Sequence, residues 1–101
     1  MADHITFFRM KALPGKRQAV IDHFTSTEER VMGANGFVRS ILVTNNEDSD
    51  EVMAGVRFDS TENYNANSNR PEINVWYQGL RAMLASDPEW FNGTLARELI
   101  R

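Results

Sequence analysis

The chain has 101 residues, 42% of them hydrophobic and 25% charged, with 11 Lys+Arg against 14 Asp+Glu for a net charge of -3. That length forms one domain, residues 1–101, around one core. The acidic balance, without a basic run or stripe, argues against nucleic acid or a membrane surface as partner. The lack of cysteine removes disulfides, thiolate catalysis and cysteine-bound metal. His4 and His23 are the imidazoles, and neither has metal-site spacing. No apolar run reaches the roughly 18–20 residues of a membrane span. The opening M-A-D-H lacks the basic region of a secretion signal, so a cytoplasmic protein without metal or cofactor is expected.

His4 to Leu13 reads as a strand, with Ile5 and Phe7 on one face and Phe8, Met10 and Ala12 on the other. Pro14-Gly15 turns the chain into a helix running to about Met32. Val20, Phe24, Thr27 and Val31 recur along it at helical spacing, widened by Ile21. Gly33-Ala34-Asn35-Gly36 supplies residues that accept positive φ and ends it. A second strand covers Phe37 to Thr44, with Phe37, Ile41 and Val43 on one face and Val38 and Leu42 on the other. The polar run Asn45 to Asp50 leads into a third, Val52 to Phe58, expected to pair antiparallel with the second.

Ser60 caps a short helix that breaks at Asn69-Arg70, and Asn63 stands at the third position of the cap. Pro71 restarts the chain as a longer helix. Its stripe is Ile73, Tyr77, Leu80 and Leu84, flanked by Trp76 and Met83, and Asp87-Pro88 stops it. Trp90 to Ile100 alternates weakly and reads as a fourth strand. The order β-α-β-β-α-β, with the second helix split, is an α+β ferredoxin-like layout: four antiparallel strands with helices on one face. The first two strands are apolar on both sides, so the other face would lie bare in a monomer. A second identical chain packed there resolves this, and a homodimer is expected. Scattered surface hydrophobes are the plainer alternative.

F-x-S-x-E-x-Y after the third strand, a helix break with Pro, and D-P-E-W-F-N-G before the last strand resemble the antibiotic biosynthesis monooxygenase family of dimeric α+β barrels. The resemblance covers nearly the whole chain. It implies a cofactor-independent monooxygenase that oxidises a small quinol-like or anthrone-like aromatic with molecular oxygen. A haem-degrading branch of the family uses Asn, Trp and His where this chain has Phe8, Phe58 and Tyr77, and no histidine follows His23. Haem degradation is therefore ranked last. Many members also carry a histidine in the short helix, where this chain has Asn67.

Chemistry without metal or thiol falls to amides and phenols, which suit stabilisation of a phenolate, and to aromatic walls, which suit an aromatic ligand. Tyr64 and Asn67, three apart on the short helix, are the candidate catalytic pair. Asn63, Phe58, Trp76 and Tyr77 are the candidate substrate-binding residues, in a pocket between the sheet and the split helix. Against this, asparagines in a short helix also cap and solvate it, and Trp76 and Tyr77 also serve as core. Arg39 and Arg57, in strands, call for a carboxylate across a dimer interface or a substrate anion. A non-catalytic dimer that binds a small molecule is the alternative to an enzyme.

Overall fold

A computed structural model describes residues 2–101. Among them lie strands β1 (His4–Lys11), β2 (Phe37–Thr44), β3 (Glu51–Phe58) and β4 (Glu89–Thr94). The helices are α1 (Arg17–Thr25), α2 (Glu28–Met32), α3 (Thr61–Ser68) and α4 (Pro71–Arg81). The strands form one open antiparallel sheet in the order β2-β3-β1-β4, the ferredoxin-like arrangement. No helix among the described residues is long and apolar enough to cross a membrane.

Alternation along the central strands decides what the helices cover. Phe8, Met10 and Ala12 of the β1 segment and Val52, Ala54 and Phe58 of β3 are buried on one side, and Val20 of α1, Leu80 of α4 and Leu84 pack there. Each of these side chains larger than alanine contributes about 1.5–3 kcal/mol when removed from water.

The elements depart from the sequence reading at four places, each with a local cause. The first helix is two pieces, because the hydroxyls of Thr25, Ser26 and Thr27 bond back to the carbonyls of Ile21, His23 and Phe24. Such bonds compete with the helix ladder and bend it. The long helix stops at Arg81, since Leu84 is captured as a bridge to Ala12, and Ala85 N–H donates to the Lys11 carbonyl at 2.8 Å. The last strand ends at Thr94, opposite His4, where its partner β1 begins. Finally, a bulge between Phe37 and Arg39 inserts Val38 into β2. It turns Phe37 onto the helix side against Phe58, while Ile41 and Val43 stay on the other face.

That other face is uncovered, with an apolar patch flanked by the charges of Arg9, Arg39, Glu51 and Arg57. Ile41, Met53 and Phe7 line up across it, and Phe91 beside them is 66% exposed. Phe7 lies over Gly55 and Phe91 over Gly93, where an added Cβ would stand 3.0 Å and 3.1 Å from the rings. Arg57 is held within the chain, by Asp3 at 2.6 Å and Glu98 at 2.7 Å, so it needs neither a partner chain nor a ligand. At the hairpin end, Lys11 pairs with Asp48, a bond that holds the Asp48 carboxyl below its ordinary range.

Gly36 joins the start of β2 to the turn after β3. Its φ is +81°, its carbonyl accepts from Asp59 N–H at 2.8 Å, and a Cβ there would meet Asp59 Oδ1 at 2.4 Å. Gly36→Ala is therefore expected to cost about 1–3 kcal/mol. Thermal unfolding followed by circular dichroism should show a clear drop in Tm, and an unchanged Tm would contradict this account of the turn.

Candidate functional site

The helices and sheet close tightly around Val20, Leu80 and Leu84. Toward β2 they leave a cavity of about 990 Å³. That size is at the upper end for small-molecule sites. α1 and α2 supply one part of its lining and α3 and α4 another, so the split helix is only half of its cover.

Two chains of rings make the walls. In the first, Phe37 meets Phe58 at 5.8 Å and Phe58 meets Tyr64 at 5.8 Å, both edge to face, and Tyr64 stacks on His4 at 4.3 Å. In the second, His23 stacks on Trp76 at 5.2 Å, and Phe24 and Trp76 meet in a T at 5.0 Å. Phe24 then reaches Phe8, which stacks on Trp90 at 4.6 Å, and Trp90 reaches Tyr77. Pairs in these geometries contribute roughly 0.5–1.5 kcal/mol each beyond area burial, enough to fix the walls in place. The phenylalanines, tyrosines and tryptophans of both chains line the cavity, whereas His4 and His23 stand behind the lining.

Local structure sets these positions. The Ser60 Oγ accepts from Asn63 N–H at 3.1 Å and starts α3, which brings Tyr64 and Asn67 round to the cavity together. Pro71 opens α4, whose Ile73, Trp76 and Tyr77 point to the cavity while Leu80 goes to the core. His23 Nε2–H donates to the Trp76 carbonyl at 2.8 Å, and its ring lies over Gly79, where a Cβ would come within 3.0 Å. Glycine at 79 thus lets the imidazole close against α4 and back the Trp76 ring.

Polar groups are spread through the lining, Thr25, Thr27, Ser40, Thr44, Ser68 and Asn74 among them. Tyr64 and Tyr77 bring phenols to walls otherwise mostly of hydrocarbon, and Asn67 brings an amide whose Oδ1 accepts from Arg70 at 3.4 Å. Trp76 Nε1 is the one buried side-chain polar atom without a partner among the described residues. An unpaired buried donor costs about 1–3 kcal/mol. Glu28, Arg30 and Arg39 place charges in the same lining.

Of the residues singled out from sequence, Phe58, Tyr64, Asn67, Trp76 and Tyr77 come together at this cavity, and Asn63 does not. Its Nδ2 donates to Asp59 Oδ1 at 2.8 Å and its Oδ1 accepts from Asn35 at 3.4 Å. Residues four apart on a helix are offset by about 40°, and the Asp59 bond draws Asn63 to the outer side of that offset. The sequence reading missed Phe24, Phe37 and Trp90. Trp90 was findable, because it pairs with Phe8 across β1 and β4 and so shares its inward face. Phe37 was hidden by the Val38 bulge.

Residues 4–78 match the family model of antibiotic biosynthesis monooxygenase. No curated protein matches the chain. Solved structures of similar fold include SnoaB, a cofactor-independent oxygenase of Streptomyces nogalater, at 17% identity over 100% of both chains with a TM-score of 0.89. A protein of Chloroflexus aurantiacus, provisionally described as an antibiotic biosynthesis monooxygenase, aligns at 19% identity over 97% of both chains with a TM-score of 0.80. A protein of unknown function from Nitrosomonas europaea aligns at 17% identity over 100% of this chain and 96% of its own, with a TM-score of 0.82. At such identities the likeness is one of fold.

Because Asn63 sits in a latch rather than at the cavity, Asn63→Ala is expected to lower stability by about 1 kcal/mol, the net worth of an ordinary hydrogen bond. Affinity for an aromatic probe, read by quenching of tryptophan fluorescence, should stay unchanged. A weaker probe affinity at full stability would return Asn63 to the site.

Proposed function

The chain belongs to the antibiotic biosynthesis monooxygenase family, and from that premise we propose that it oxidises a small aromatic compound of quinol or anthrone type with molecular oxygen, without a cofactor. The observation that carries this reading is the cavity walled by two chains of aromatic rings with phenol and amide groups among them. Flat aromatic walls suit a flat aromatic substrate. Such a substrate, once deprotonated, is itself the reductant. Overall, a ring methylene and one O2 become a carbonyl and one water, with all four electrons drawn from the substrate carbon. The protein's share is to hold the ring, stabilise the anion and keep water from the intermediate. In this reading Tyr64 and Asn67 donate to the anion, while Phe58, Trp76 and Tyr77 hold the ring.

The same reading takes the working form to be a cytoplasmic homodimer closed through the bare face of the sheet. Phe7, Ile41, Val43, Met53 and Phe91 are all at least partly exposed there, a contiguous patch unusual for a monomer. Two glycines flattened under phenylalanine rings add to a surface fit for another sheet.

Oxygen uptake by the purified protein, followed by electrode with a panel of quinols and anthrones, tests the activity. Uptake saturable in at least one of them is expected. Asn67→Ala should lower it about tenfold or more, as when a donor to a developing anion is removed. Tight binding of the panel without oxygen uptake would favour the non-catalytic binding reading. For the dimer, sedimentation should give twice the chain mass, and Phe91→Asp should give monomers or insoluble protein. A native monomer would end that part of the reading.

A further inference from the structure

We propose that His4 is a positioning residue: its imidazole, fixed by a hydrogen-bond chain from Thr61 to Asn92, holds the Tyr64 ring in the orientation it presents to the cavity. The proposal rests on the reading of Tyr64 as a group that meets the substrate.

His4 lies on β1, is 6% exposed and does not line the cavity. Its ring stands 4.3 Å from that of Tyr64 with 22° between their planes, while Phe58 and Tyr64 meet in a T at 76°. Tyr64 is thus held by a stack with one ring and a T-shaped contact with another. Little else can fix it. α3 is rich in asparagine and buries no side chain fully, so hydrophobic packing does not set the rotation of this helix on the sheet.

The imidazole is itself locked. Its Nδ1 lies 3.1 Å from Thr61 Oγ1 and its Nε2 lies 2.8 Å from Thr6 Oγ1. Thr6 donates its hydroxyl hydrogen to Asn92 Oδ1 at 2.7 Å. Since that hydrogen is committed, Thr6 can only accept from His4. Nε2 therefore carries a proton, and in the neutral imidazole Nδ1 is left to accept from Thr61. The chain runs from the first residue of α3 through β1 to β4, tying the helix that bears Tyr64 to two strands.

Positions 4 and 6 face the same side as Phe8, Met10 and Ala12. Apolar residues would fill them without the desolvation cost of a buried imidazole and hydroxyl. A fully satisfied polar line in such a place supplies orientation rather than stability.

The test compares wild type, His4→Ala, His4→Phe, Tyr64→Phe and the double variant His4→Ala/Tyr64→Phe, with dithranol, a hydroxylated anthrone, as substrate. His4→Ala should lower kcat about tenfold while KM stays within about twofold, because what is lost is alignment rather than binding. His4→Phe keeps a ring against Tyr64 but cuts the bonds to Thr61 and Thr6, so it should recover part of the loss and fall between His4→Ala and wild type. A His4→Phe protein as fast as wild type would overturn the role of the hydrogen-bond chain. If His4 acts through Tyr64, the double variant should be no slower than Tyr64→Phe alone. Additive losses, or a His4→Phe protein as slow as His4→Ala, would overturn the proposal.

A second readout does not depend on turnover. Nuclear Overhauser contacts between the Tyr64 and Phe58 rings should be present in wild type and lost in folded His4→Ala. Their persistence would overturn the proposal even if no dithranol is consumed. Full activity in Tyr64→Phe would instead overturn the role given to Tyr64, leaving the ring contacts to decide on His4. Should His4→Ala not fold, Thr61→Val at an exposed position removes the donor to Nδ1. It should weaken those contacts and slow dithranol turnover about threefold, and unchanged contacts would again count against the proposal.

Discussion

The fold depends on the packing of Val20, Leu80 and Leu84 against Met10, Ala12, Val52 and Ala54. Two of the four sheet residues in that contact are alanines, and small side chains let helices approach a sheet closely. Along the same face the residues grow to Phe8, Phe58 and Phe37, with Trp76, Tyr77 and Tyr64 coming down from the helices. Large rings keep helix and sheet apart while still touching one another. One gradient of side-chain size therefore makes a dense core at one end and a cavity at the other. Interiors are close-packed and yield little, so the core sets where the helices sit and thereby the width of the cavity.

The two histidines show how the site divides its work. Each stacks behind a wall ring, His4 on Tyr64 and His23 on Trp76, and each has a ring nitrogen in a hydrogen bond of 2.8 Å. Neither reaches the lining. The residues most suited to proton transfer near neutral pH thus stand one layer back. Phenols and amides stand at the front beside the charges of Glu28, Arg30 and Arg39, so the lining holds donors for an anion together with one carboxylate able to take a proton.

Much of this was legible because alternation and helical spacing are local. The strands on His4–Lys11 and Glu51–Phe58, the Ser60 cap and the Pro71 start follow from residues within a few positions of each other. What escaped was set by distant partners. β4 stops at Thr94 because β1 begins at His4, and α4 stops at Arg81 because Ala12 captures Leu84. The face of Phe37 depends on a single inserted residue, and a one-residue slip reverses every inward and outward assignment beyond it. Asn63 and Asn67 look equivalent by spacing, yet a neighbour at Asp59 claims only the first. His4 gave no signal at all, since its meaning lies in Thr61 and Asn92, 57 and 88 residues away along the chain.

The Val38 bulge also joins the two faces of the molecule. Beyond it, Arg39 pairs with Arg57 on the uncovered side of the sheet, yet Arg39 belongs to the lining of the cavity on the helix side as well. It borders a shallower groove on the bare face too, with Ile5, Phe7 and Ile41. Arg57 is neutralised by Asp3 and Glu98. Arg39, on the edge strand, thus borders a hollow on each face of the sheet. An anion on either face of this edge would therefore meet the same guanidinium.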